Sequence, residues 1–257
     1  MRLGRLILAI AMLAAPQSLR AEGLANHAIT YRSIIHGLPS VMTSQVGFKS
    51  WTLEGCKKWM TGMTLSVNIR VERFRITQRV EIGAEEELEG AITLANFRTS
   101  GDLTNAERRI KATYPGAGNR PYLDVVQPQG GRVVDLPADI LRPRETNERT
   151  IAELLKGSRD FTIASIDPSV AGGWVAIRYS VLDRWPYPET RLPAQISAAL
   201  PGRSWNVRMQ IAGDKSGQPG YMQIHESGII TRMASEYRGM LIEHIASKLE
   251  LLDRPGC

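Results

Sequence analysis

Beyond residue 15 the chain carries no apolar run near the roughly 20 residues that a membrane-spanning helix requires. It holds only two cysteines, Cys56 and Cys257. They form no C-x-x-C pair, which argues against a thiol redox catalyst, and no Cys/His cluster of the kind that binds zinc accompanies them. Four histidines are present, His27, His36, His225 and His244, far apart and without an i+4 partner suited to metal. The nucleophile motif G-x-S-x-G is missing, and no Ser is followed three residues later by Lys. Gly213-Asp214-Lys215-Ser216-Gly217 has the wrong spacing and reads as a hairpin turn. Gly116-Ala117-Gly118 lacks the third glycine of a dinucleotide loop, and no phosphate-loop motif appears. The run Glu85-Glu86-Glu87 with Glu89 lacks the ligand spacing of a calcium loop and reads as a solvated turn. These absences point to a protein that is not an enzyme and needs no metal or cofactor. Each histidine is expected to be structural, although a dispersed triad is recognised by geometry and not by spacing.

What is present begins with an export signal. Arg2 and Arg5 precede ten apolar residues, Leu6 to Ala15, and Pro16-Gln17-Ser18 breaks the run before the small residue Ala21. That order is a secretory signal peptide over 1–21, with Ala25 as the alternative cleavage point, and it predicts a periplasmic protein of residues 22–257. Removing the leader removes Arg2, Arg5 and Arg20 and no acid, so the formal charge falls from +6 to +3. The remaining basic residues alternate with acids, as in Glu107-Arg108-Arg109, and give no nucleic-acid stripe. In an exported chain two cysteines read first as a disulfide, with free thiols or a bond between chains as the alternatives. An internal bridge would close a loop of about 200 residues, for which chain entropy gives roughly 5 kcal/mol as an upper figure.

The mature chain is patterned with period two. Met63, Leu65, Val67, Ile69 and Val71 alternate with Thr64, Ser66, Asn68 and Arg70, which predicts a half-buried strand. Residues 73–80, 89–97, 110–114, 122–126, 161–166 and 174–181 read as further strands. Residues 205–212, 221–225, 229–237 and 241–251 form a predicted meander with short turns. In the last of these, Leu241, Ile245, Leu249 and Leu251 are assigned to one side. One well-defined helix is expected after Pro143, capped by Thr146 or Asn147 and stopped at Lys156-Gly157, with a shorter one over 194–200. Trp185-Pro186-Tyr187-Pro188 reads as an exposed loop. Trp51 and Trp59 are expected to cover the sulfur bridge, and the remaining tryptophans and methionines to be mostly core.

Four segments in order resemble one known family: His27-Ala28-Ile29-Thr30-Tyr31; Trp51-Thr52-Leu53-Glu54-Gly55-Cys56; Leu136-Pro137-Ala138-Asp139-Ile140-Leu141-Arg142-Pro143 ahead of the helix; and the ending Leu251-Leu252-Asp253-Arg254-Pro255-Gly256-Cys257. The order is similar to the EipB family of periplasmic cell-envelope integrity proteins, over most of the mature chain. The resemblance implies a mainly β fold, a β-spiral or incompletely closed antiparallel barrel coiled around a helix, with Cys56 bridged to Cys257. It implies a role in envelope integrity under stress without known enzymatic activity, and linkage to periplasmic tetratricopeptide-repeat proteins. The spiral is similar in shape to carriers that shield lipoprotein acyl chains, so a lipid or amphipathic ligand is the alternative to a protein partner. A monomer is expected. The chain departs from the family pattern at Lys57-Lys58-Trp59 and at Arg144-Glu145-Thr146-Asn147.

Overall fold

The computed structural model describes residues 24–36, 42–53, 57–71, 74–115, 119–127, 133–170, 172–188, 190–212, 219–237 and 240–253. The predicted signal peptide, Cys56 and Cys257 lie outside the described residues. The elements are β1 (His27–Ile35), β2 (Met42–Leu53), β3 (Lys58–Val71), β4 (Phe74–Glu87), β5 (Ile92–Gly101), β6 (Ala106–Thr113), β7 (Tyr122–Gln127), β8 (Val133–Asp135), α1 (Pro143–Lys156), β9 (Asp160–Ile166), β10 (Trp174–Leu182), α2 (Ala194–Ala199), β11 (Ser204–Ile211), β12 (Gly220–His225), β13 (Ile230–Tyr237) and β14 (Met240–Leu251).

All fourteen strands form one antiparallel sheet in the order β8-β7-β6-β5-β4-β3-β2-β1-β14-β13-β12-β11-β10-β9. Each strand pairs with its chain neighbour, as short connections favour, except at two places. The first strand pairs with the last, and α1 with its flanking segments carries the chain from one sheet edge, β8, to the other, β9. Among the described residues the two edges are not laddered to each other. Leu141 makes a single parallel bridge to Ser165, its N–H donating to the Ala164 carbonyl at 2.9 Å. The sheet is therefore an open coil whose ends are spliced by irregular chain. No helix among the described residues is long and apolar enough to cross a membrane.

α1 lies inside the coil. Ile151 and Leu154 pack with Ile163 of β9, Tyr179 of β10, Val207 of β11 and Met222 and Ile224 of β12. A second cluster joins Ala84, Ala95, Ile110, Ala112 and Leu123 of β4–β7 to Ile166 of β9, so side chains cross the gap that the backbone leaves open. A third gathers Ile29, Tyr31, Val46 and Ala246 with Ile196 of α2 and Ile229.

The helix starts differently from the expectation. Arg142 is the N-cap and Pro143 occupies the first helical position, where a missing N–H costs nothing. Thr146 and Asn147 thus sit inside the helix. Proline fixes the start because its φ is already helical. Glu145 accepts the Arg142 backbone N–H at 3.1 Å. Gly157 ends the helix with φ +84, as expected, and Ser158 N–H donates to Glu153 O at 3.0 Å. The last strand is also corrected. Thr30 pairs Lys248 and Tyr31 pairs Ala246, so Ser247 is bulged. The bulge shifts the pleat by one residue. Leu249 joins the interior cluster, whereas Ile245 turns to the outer face. Strands β1 and β2 were not expected from patterning, because β1 is apolar at both phases and Gly47 interrupts β2.

Candidate functional site

A buried polar junction lies where α1 meets β4. Glu86 stands on the interior face, paired in register with Trp59 of β3 and Thr93 of β5. It is 1% exposed, and its Oε1 accepts the Arg144 backbone N–H at 2.7 Å. A strand carboxylate thus satisfies one of the free N–H groups at the helix start. Burial outweighs that bond and pushes the Glu86 carboxyl up to about 7. The Arg142 guanidinium donates to the carbonyls of Glu87 (3.0 Å) and Gly90 (2.7 Å) and lies over the Tyr114 ring. The acidic run expected as a solvated turn is therefore the end of β4, with its middle residue turned inward. A legible signal existed: Val80, Ile82, Ala84 and Glu86 keep one phase of the alternation.

An interior cavity of about 160 Å³ lies between α1 and strands β1, β2, β3 and β13. Val46, Phe48, Met63, Ile230 and Met233 make its apolar wall, and His27, Ser50 and Asn147 contribute polar groups. His27 Nδ1 is 2.8 Å from the Ala25 carbonyl, and burial holds the imidazole below its usual pKa, so the ring is neutral at pH 7. The Tyr31 hydroxyl donates to the Ile230 carbonyl at 2.8 Å, reaching past β14 from β1 to β13. Leu24 closes one side, seated on Gly228, whose φ of +83 excludes most other residues.

On the opposite face of the sheet, a wider and more open hollow of about 590 Å³ crosses β2–β4. Gly47, Gly62 and Gly83 form its floor, and Lys49, Trp51, Glu81, Asn96, Lys248 and Glu250 surround it. A Cβ on Gly47 would meet nothing within 4 Å, and one on Gly62 only a carbonyl at 4.0 Å.

The four histidines do not converge. His244 Nδ1 is 2.7 Å from Ser33 Oγ, His225 Nδ1 is 2.8 Å from Ser227 Oγ, and His36 Nε2 is 3.4 Å from Glu243. Among the described residues neither serine-bound imidazole also holds a carboxylate, the third member of a triad. No group of three or more His, Cys, Asp or Glu suited to a metal occurs among them. Sequence patterning missed a buried ion pair. Arg232 Nε is 3.5 Å from Glu243 Oε1, with the two side chains 5% and 0% exposed. Trp185, expected in an exposed loop, is 4% exposed and stacks on the Arg232 guanidinium, which also donates to the Thr190 carbonyl. Trp185, Tyr187 and Thr190, from the segment after β10, sit against Arg232 and Glu236 of β13. Trp59 is buried at 3% beside Glu86.

The cysteine positions lie outside the described residues, but the strands leading toward them are defined. β2 and β14 flank β1, with His27 opposite both Ser50 and Leu251. Both strands run in the same direction and end on the same side of the sheet, at Leu53 and Leu251. Leu252 N–H donates to Asn26 O at 2.9 Å, keeping the outgoing chain beside β1.

No protein-family model matches the sequence, and a search of curated proteins finds no match. Among solved structures the chain is similar to a β-barrel-like protein of the domain of unknown function DUF1849 from Brucella abortus, with a TM-score of 0.73 and 16% identity, covering 90% of this chain and 99% of that one. A DUF1089 family protein from Pseudomonas aeruginosa aligns with a TM-score of 0.35 and 14% identity, over 79% of this chain and 91% of that one. The first likeness shows the fold, an open β-barrel-like coil.

Proposed function

We propose that the chain is a non-enzymatic periplasmic protein of the EipB type that supports cell-envelope integrity by binding other periplasmic proteins. The observation that carries the reading is the agreement of two independent lines. The ordered segments resemble the EipB family, and the coil is similar over nearly its whole length to a protein of DUF1849, the domain type of that family. The proposed Cys56–Cys257 bridge fits the frame. β2 and β14 are separated by one strand, or about 10 Å at the usual spacing. The three residues from Leu53 and the six from Leu251 have ample reach at about 3.3 Å each.

Partner binding by strand addition is poorly served. β8 has only three residues, and the β9 edge is bridged by Leu141. A protein partner, including one built of tetratricopeptide repeats, would sit instead on the outer hollow, where charges of both signs ring a bare glycine floor. The test is a chromosomal deletion challenged with detergent and a cell-wall antibiotic. It should be complemented by the wild-type gene and poorly by Gly62→Arg, which places a long side chain in the hollow. A deletion strain as resistant as its parent would refute the function.

The second reading is a carrier for a lipid or lipoprotein acyl chain, favoured by the apolar wall of the interior cavity. Its volume, about 160 Å³, is close to that of an engineered cavity that holds one benzene. A long acyl chain needs several times more. Lipid extraction and mass spectrometry of protein purified from the periplasm separates the two readings, since stoichiometric acyl lipid would favour the carrier.

A further inference from the structure

We propose that the interior cavity is a binding site for one small, neutral, mainly apolar molecule that carries a hydroxyl group, held by Ser50, Asn147 and the outward nitrogen of His27. This goes beyond the envelope role and does not depend on it. His27 and Ser50 are directly opposite residues of β1 and β2, so their side chains stand side by side on the interior face. They are 4% and 3% exposed. Asn147 approaches from α1 and completes the polar part of the wall.

These groups have hydrogen-bonding capacity that the described residues do not use. His27 Nδ1 donates to the Ala25 carbonyl, which fixes the tautomer and leaves Nε2 as a lone-pair acceptor with no hydrogen-bond partner among the described residues. Neither Ser50 Oγ nor the Asn147 amide has a hydrogen bond to another described residue. The other polar groups of the wall are committed: Tyr31 to the Ile230 carbonyl, and Ser227 to His225. Unpaired polar groups facing an apolar space are costly, so their partners are to be found in whatever fills the cavity.

The wall also selects the ligand. Nε2 accepts only, so it calls for an O–H or N–H donor. Ser50 and Asn147 can both donate and accept, which suits a hydroxyl. Among the described residues no lysine or arginine lines the cavity, so a carboxylate or phosphate would be buried there without a counter-charge. Phe48, Met63 and Met233 offer a polarizable surface of a kind that favours an aromatic ring. The volume admits a molecule about the size of a substituted benzene. A phenol or a short aromatic alcohol meets every condition.

The test uses the full exported chain purified from the periplasm, with p-cresol, toluene, benzoate and palmitate as probes, read by titration calorimetry and melting temperature. The expected result is that p-cresol binds and raises the melting temperature, toluene binds about tenfold more weakly for want of the hydroxyl, and benzoate does not bind. Ser50→Ala should weaken p-cresol by about tenfold and leave toluene unchanged, with unaltered circular dichroism in the absence of ligand. Binding of neither p-cresol nor toluene would overturn the proposal and leave a water-filled cavity. Equal binding of both, unaffected by Ser50→Ala, would overturn the role of the polar groups. Stoichiometric palmitate binding would overturn the small-ligand selection in favour of an acyl site.

Discussion

Replacing Glu86 by Gln should remove a pH dependence that is built into the stability of the fold. The carboxyl is driven up from 4.5 to about 7 by burial between Trp59 and Thr93, against the opposing effect of its bond to Arg144 N–H. Between those two pH values the folded chain binds more protons at this site than the unfolded chain, so stability falls as pH rises through the window. At about 1.4 kcal/mol per pKa unit the contribution is about 3 kcal/mol across the interval. Glutamine keeps an oxygen for the Arg144 N–H and carries no charge. In urea unfolding at 25 °C the wild type should therefore lose stability from pH 5 to pH 8. The Gln variant should lack this site's slope, being about equal at pH 5 and more stable by about 2 kcal/mol at pH 8. If the two proteins keep parallel profiles across that range, the burial argument fails.

Other outcomes follow from the same geometry. Glu243→Ala leaves Arg232 charged and buried beneath Trp185, and should cost about 3–5 kcal/mol in denaturant unfolding, a typical figure for breaking a buried pair. Gly62→Thr puts a strand-favouring side chain into open space and should stabilise by about 1 kcal/mol. The same change at Gly83 meets Asn96 Oδ1 at 2.7 Å and should destabilise, so a thermal melt of the pair tests the local geometry. Cys257→Ser should lower the melting temperature under oxidising conditions while the circular dichroism stays β-rich, and an unchanged melt would count against the bridge.

Much of the fold can be read along the chain, and the reason is local. Alternation in Met63–Val71 reports a half-buried strand because a pleated backbone sends successive side chains to opposite faces. Short turns report antiparallel neighbours, and Lys156-Gly157 reports a helix end because glycine alone takes a positive φ without cost. These signals predict the mainly β class, the meander after residue 204 and the helix after Pro143. The candidate sites were much less legible. Glu86 keeps phase with Val80, Ile82 and Ala84, but its charge masks the pattern, and only the docking of α1 against β4 explains why a carboxylate is buried there.

The sequence by itself determined most of the strands from β3 onward and where the helix stops, since those depend on side-chain period and backbone sterics within a few residues. Tertiary structure alone decided that β1 pairs with β14, and that one bulge at Ser247 sends Leu249 inward and Ile245 outward. It also decided that His27 stands beside Ser50 on the wall of a cavity that Asn147 lines from the helix. Such meetings depend on register and coiling summed over the whole sheet, where a shift of one residue in any strand would turn every side chain of that strand to the other face.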